Sequence, residues 1–204
     1  MRWMYSLFSL LVIIATPGCA SHEASAPQAV RVALDTELGT IRIELYPDRA
    51  PHSAGDFLNF IDNNGYQDAG FYRVVRPDND NGAPKISVIQ GGVLEPTDDY
   101  DGLPHEPTNQ TGLRHQDGAV SIARGDVGTG SAAYFFIVLG DQPGLDAGGL
   151  RNPDGQGFAV FGQVTEGMDL VRQINAMTAD GASDSDYMRG QILSPPIRFA
   201  ARRE

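Results

Sequence analysis

Between Val30 and Ala200 the apolar residues come in short runs separated by links rich in Gly, Pro, Asp and Asn, which favours many strands over long helices. Val30-Arg31-Val32-Ala33-Leu34 and Thr40-Ile41-Arg42-Ile43-Glu44-Leu45 alternate apolar with other residues, and Gly39 lies in the link between them. They predict an antiparallel hairpin. Further strands are expected over 71–75, 86–90, 119–123, 134–139, 158–163 and 196–200. Two segments read as helix. Over 53–63, Phe57, Leu58, Phe60 and Ile61 share a face and Asn63-Asn64-Gly65 ends it; over 168–175, Met168, Val171 and Ile174 are spaced for one buried face. So many strands with so few helices to cover them leave sheet edges exposed unless the sheet closes, so the expected fold class is all-β, a closed barrel.

At 204 residues, with 41% hydrophobic and 20% charged, the chain has material for one domain with a sizeable core. Its formal net charge of −11 argues against nucleic acid as a partner, because a phosphate backbone is bound by clustered Lys and Arg. Solubility is sufficient reason for that charge.

The N-terminus carries Arg2 and then Leu7-Phe8-Ser9-Leu10-Leu11-Val12-Ile13-Ile14-Ala15, too short for a spanning helix and suited to an export signal. Ala15-Thr16-Pro17-Gly18-Cys19 places small residues before the only cysteine and resembles the bacterial lipoprotein box, in which the thiol is lipidated and becomes the mature N-terminus. Thr16 stands where that box usually has Leu. Ordinary cleavage after Ala20 or Ala26 competes with it. The expected organisation is a signal over 1–18, a tether anchored through Cys19 over 19–29, and one domain over 30–204, facing the periplasm at the cell envelope or, without the lipid, secreted.

Phe71-Tyr72-Arg73-Val74-Val75 and Val88-Ile89-Gln90-Gly91-Gly92 each set one strongly polar residue in a buried-strand pattern, and a third run, Tyr134-Phe135-Phe136-Ile137-Val138, contributes aromatics. A buried polar head needs a partner or a pocket. Arg73 and Gln90 beside apolar side chains on a barrel face suit a substrate that is partly apolar and partly a carbonyl acceptor, such as a peptide. Alternatively, Arg73 pairs with a carboxylate at the barrel rim and Gln90 bonds a loop.

These three runs, followed by Phe158-Ala159-Val160-Phe161-Gly162-Gln163-Val164-Thr165-Glu166-Gly167-Met168, resemble the cyclophilin family of peptidyl-prolyl cis-trans isomerases in order and spacing from about Val30 to Ile174. The resemblance implies an eight-stranded antiparallel barrel capped by two helices, with a peptide groove outside it. By position, Arg73 matches the catalytic arginine, Gln90 the glutamine that bonds the peptide and holds the arginine, and Phe136, Val88 and Leu145 the proline pocket. Ala123 and Arg124 match the backbone that receives the residue ahead of proline, Arg124 replacing a common asparagine. Tyr72 and Phe158 stand in the groove where many members have histidine, and Gly144 where some have tryptophan. Loops over 76–85 and 140–156 are longer than in compact members.

The expected activity is therefore prolyl isomerisation assisting exported proteins, by a monomer that binds proline-containing polypeptides, needs no cofactor or metal, and meets a membrane only through its lipid. A proline-peptide-binding chaperone module with little catalysis is the alternative.

Other signals carry less. Gly128-Thr129-Gly130-Ser131-Ala132-Ala133 resembles a dinucleotide fingerprint but leads into a strand, not a helix. Asp78-Asn79-Asp80-Asn81-Gly82 hints at a calcium loop, yet Ile89 occupies the twelfth position, so a polar turn is expected. Asp98, Asp99 and Asp101 near Glu95 and Glu106 read as a solvated acidic face. His22, His52, His105 and His115 lack ligand spacing and are expected to be structural or exposed.

Overall fold

The alternating segments pair as expected. In the computed structural model, which describes Met1 and residues 29–95 and 100–204, β1 (Val30–Thr36) and β2 (Gly39–Leu45) form an antiparallel hairpin with Val32 opposite Ile43. The segments expected to be an export signal and tether, with Cys19, lie almost wholly outside the described residues, as do Asp98 and Asp99. The remaining strands are β3 (Ala69–Val75), β4 (Val88–Val93), β5 (Ala119–Ile122), β6 (Tyr134–Val138), β7 (Ala159–Glu166) and β8 (Ile192–Arg203). They close in the order β1-β2-β7-β5-β6-β4-β3-β8, every neighbour antiparallel. Closure leaves no free sheet edge.

Two helices cap the barrel, with a single-turn helix, α2 (Thr108–Thr111), in the connection between β4 and β5. Helix α1 (Pro51–Asp62) buries Ala54, Phe57 and Leu58. Phe57 meets Phe135 edge-on at 5.2 Å between ring centroids, and Phe71 and Phe199 continue this aromatic core. Helix α3 (Met168–Asn175), within its expected bounds, buries Val171 and Ile174. Its last residue, Asn175, donates through Nδ2 to the carbonyls of Val75 and Val88, both at 3.0 Å, and so joins the ends of β3 and β4.

No side chain of its own caps the start of α1. Glu106 does so from a distant loop: its carboxylate accepts from the backbone N–H of His52 at 3.1 Å and of Ser53 at 2.8 Å, and from Ser53 Oγ at 2.7 Å. An anion there satisfies otherwise orphaned donors at the positive end of the helix dipole. Glu106 is buried, which corrects the expectation that it belongs to a solvated acidic face.

The expected strand over 196–200 is a piece of the longer β8, which runs through Pro195 and Pro196. Proline normally marks the end of a strand because it cannot donate to the ladder. Here the ladder to β3 pairs Phe71 with Ile197 and Arg73 with Ile192, so both prolines fall where it is interrupted.

Candidate functional site

The same irregularity builds the site. Phe71 pairs with Gly91 and Arg73 with Gln90, leaving Tyr72 as the extra residue of a β-bulge. A bulge breaks the strict alternation of faces and re-aims side chains. Tyr72 and Arg73, although consecutive, both line one groove. The glycines after Gln90 permit this packing: a Cβ on Gly91 would lie 2.8 Å from the Phe71 ring, and one on Gly92, where φ is +141°, 1.9 Å from the Ala133 carbonyl oxygen. Only glycine fits such an approach.

Across the barrel, Arg73 on β3 pairs with Gln90 on β4, and Gln90 with Phe136 on β6. Three residues far apart in sequence thus form one row. They open into a cavity of about 490 Å³ whose lining includes Arg73, Gln90 and Phe136, with Tyr72, Val88, Ala123, Arg124, Leu145 and Phe158, but not Gly144, which was also expected in the groove. Phe136, Val88 and Leu145 are buried and apolar, and Phe158 meets Phe136 edge-on at 5.4 Å.

Arg73 is held by amides. Its Nη1 donates to Gln90 Oε1 at 2.9 Å, while Nε and Nη2 donate to Gln191 Oε1 at 2.9 and 2.7 Å. None of the ion pairs among the described residues includes Arg73, so the carboxylate-paired alternative does not hold. Burial lowers its pKa from the ordinary arginine value, opposed by Tyr187, and a guanidinium stays charged at neutral pH in either case. The result is an oriented cation without a neutralising anion.

Gln90 Nε2 donates to Tyr72 Oη at 2.9 Å. Burial pushes the Tyr72 phenol up to about 12, so it remains neutral and fixes the orientation of the Gln90 amide. Arg124 is locked elsewhere. Its Nη1 and Nη2 donate to Asp154 at 2.7 and 3.0 Å, its Nε donates to the Gly157 carbonyl at 2.9 Å, and its guanidinium covers the Phe158 ring at 5.4 Å. With its side chain committed, Arg124 offers the groove its backbone and a covered wall.

Behind Phe136 lies a buried chain that sequence pattern did not single out. His115 stacks on Phe136 at 6.0 Å; its Nδ1 meets Asp146 Oδ1 at 2.8 Å and its Nε2 meets Ser121 Oγ at 3.0 Å. An ionised Asp146 only accepts, so the proton belongs on Nδ1, and neutral Nε2 accepts from the serine. The order acid–imidazole–hydroxyl is that of a hydrolytic triad, but Ser121 is fully buried, so the chain supports Phe136 rather than attacking substrate. Burial lowers the His115 pKa against the opposing pull of Asp146.

Sequence pattern also gave no site role to Gln191, Asp80, Arg151 and Tyr187, all four of which come from loops long in this chain or irregular before β8. Asp80, expected in a polar turn, has its side chain buried there: it takes a bidentate pair from Arg151 at 2.7 and 2.8 Å and accepts from the N–H groups of Gly82 and Ile86, both at 2.9 Å. Burial would raise its pKa, but these donors outweigh it and hold the carboxyl below its ordinary value. Gly144, where tryptophan stands in some members of the resembled family, packs against Pro84; a Cβ would come within 2.6 Å of its ring.

The family model described as "Cyclophilin type peptidyl-prolyl cis-trans isomerase/CLD" matches residues 30–194. The peptidyl-prolyl cis-trans isomerase of Acinetobacter baylyi is 34% identical over 170 residues, 82% of this chain and 81% of the relative. Peptidyl-prolyl cis-trans isomerase B of Escherichia coli is 30% identical over 153 residues, 72% of this chain and 84% of the relative. The crystal structure of a Cryptosporidium parvum cyclophilin type peptidyl-prolyl cis-trans isomerase superposes with a TM-score of 0.61 at 17% identity, covering 87% of this chain and 98% of that one, and so shares the fold. The chain belongs to the cyclophilin-type peptidyl-prolyl cis-trans isomerase family.

Proposed function

We propose that the groove catalyses rotation about the X–Pro bond with Arg73 as the catalytic cation. The observation that carries this reading is the guanidinium held by Gln90 and Gln191, paired with no carboxylate among the described residues, at the edge of an apolar pocket. Amide resonance sets a barrier of about 18–20 kcal/mol and makes uncatalysed X–Pro isomerisation take roughly tens to hundreds of seconds. Donation from Arg73 to the prolyl nitrogen favours the pyramidal nitrogen of the twisted state over the planar amide, which is differential binding of the transition state. No proton is transferred.

Phe136, Val88 and Leu145 grip the proline ring, Phe158 closes the pocket, and the backbone of Ala123 and Arg124 receives the residue ahead of proline. Gln90 holds the arginine and meets the peptide, with Tyr72 behind it. Exchange NMR on an alanyl-prolyl peptide tests the activity: wild-type protein broadens or exchanges the cis and trans signals, whereas binding without exchange would favour the chaperone-module reading.

The client class follows from the leader. The apolar run from Leu7 to Ala15 and the small residues before Cys19 support export, lipidation of Cys19 and an enzyme acting on exported polypeptides at the periplasmic side of the envelope. Mass spectrometry of the mature N-terminus tests this. A diacylglyceryl cysteine at Cys19 supports the anchor, and an unmodified chain starting at Pro27 contradicts it.

A further inference from the structure

Beyond the proline pocket, loops preceding β4, β7 and β8 meet at the Arg73 end of the groove. Arg151 ties them together: besides its pair with Asp80, it donates to the Pro84 carbonyl at 2.8 Å and, through Nη2, to Tyr187 Oη at 2.7 Å. Asn81 Nδ2 lies within 3.0–3.3 Å of the carbonyls of Asp186, Tyr187 and Arg189, so the backbone carrying Tyr187 is held as well. The Tyr187 ring lies 5.2 Å from the Arg73 guanidinium and 5.6 Å from that of Arg151, yet 47% of the residue is exposed. An aromatic ring fixed by this many contacts and left open to the groove is built to be touched.

The barrel order gives it a place along the substrate. The groove crosses the strands in the order β5, β6, β4, β3, β8, with Ala123 just after β5 and Tyr187 just before β8. Ala123, Phe136, Gln90, Arg73 and Tyr187 therefore succeed one another across it. If the residue ahead of proline lies at Ala123 and the prolyl nitrogen at Arg73, the chain leaves the pocket over Tyr187. This step rests on the groove direction proposed above.

We propose that Tyr187 forms a subsite for the residue following proline and prefers a flat, aromatic side chain there. The ring offers a stacking face. Its hydroxyl oxygen already accepts from Arg151, so the hydroxyl hydrogen is directed away from that guanidinium and donates to the backbone carbonyl of the same substrate residue. Asp80 neutralises Arg151, so Arg151 itself adds little pull on an acidic side chain at this end.

The test compares two peptides, Ala-Ala-Pro-Phe and Ala-Ala-Pro-Gly, for wild type, Tyr187→Ala and Tyr187→Phe, reading both kcat/KM and the dissociation constant by calorimetry. Wild type is expected to favour the Phe peptide by about five- to tenfold, the worth of an aromatic pair. Tyr187→Ala brings the ratio to near one, while Tyr187→Phe keeps the ratio and weakens both peptides. A ratio that survives Tyr187→Ala, or an equal loss in kcat for both peptides with the ratio intact, overturns the subsite and leaves Tyr187 only as a support for Arg73. The dissociation constants carry the same ratio if turnover is absent, so failure of catalysis and failure of the subsite are read separately.

Discussion

Gln191 reaches Arg73 across 118 residues of sequence and accepts two of its N–H groups at a single oxygen, at 2.9 and 2.7 Å. Its own Nε2 donates to the Asn79 carbonyl at 2.7 Å, so the amide cannot turn over without losing a bond at each end. The guanidinium is oriented from two sides, by β4 through Gln90 and by the start of β8 through Gln191.

Replacing Gln191 with Leu is therefore expected to keep the fold and cut kcat/KM about tenfold, the equivalent of about 1.4 kcal/mol of lost transition-state positioning. Steady-state kinetics check this, with the loss in kcat rather than KM. An unchanged kcat would mean that Gln90 alone suffices to aim Arg73.

Glu106→Ala removes the anion that serves the first turn of α1. Hydrogen bonds to a charged group contribute about 1.5–3 kcal/mol each, and the Ser53 N–H would be left buried without this partner, so a loss of at least about 2 kcal/mol in urea-unfolding stability is expected. A change within about 0.5 kcal/mol would be the size of an ordinary surface substitution and would contradict the capping role.

Asp80→Ala leaves Arg151 charged and without its carboxylate inside the wall of the groove. Breaking one side of a buried pair costs about 3–5 kcal/mol. Thermal unfolding should show the loss, and the double substitution Asp80→Ala with Arg151→Met should recover much of it, because an apolar pair no longer carries a stranded charge. Failure of the second change to restore stability would point to the Asp80 bonds with Gly82 and Ile86 instead.

His115 gives a pH dependence whose sign is set by its lowered pKa. Between the folded value and the ordinary one of 6.5, the unfolded chain binds more protons than the folded one. Stability from this residue is thus complete above about pH 6.5 and declines as pH falls below it. Urea midpoints from pH 7.5 to 5 should drop for wild type and drop less for His115→Asn. Equal slopes would assign the effect to other groups.

Much of this was legible along the chain because β-strand alternation and the aromatic runs are local. The hairpin, α3 and the barrel class follow from period, and the groove residues Arg73, Gln90 and Phe136 from polar or aromatic positions inside strand patterns. What escaped is non-local. Glu106 and Asp80 look like exposed acids until the fold brings a helix start or Arg151 to them, and Gln191 sits in a loop whose only distinction is where β8 begins. The start of β8 escaped for the same reason: Pro195 and Pro196 cannot donate to a ladder, and only the fold shows that the ladder is interrupted beside Tyr72.

In the proposed mechanism Arg73 acts on the twisted amide and not on the resting peptide. Exchange NMR on wild type and Arg73→Ala, with the peptide dissociation constant measured alongside, tests it most directly. Removing one preorganised transition-state donor typically costs about 10²–10³ in rate, so a loss of that size in the isomerisation rate is expected, with peptide affinity changed by only a few-fold. Full isomerisation by Arg73→Ala, or a rate loss matched by an equal loss of affinity, would contradict it.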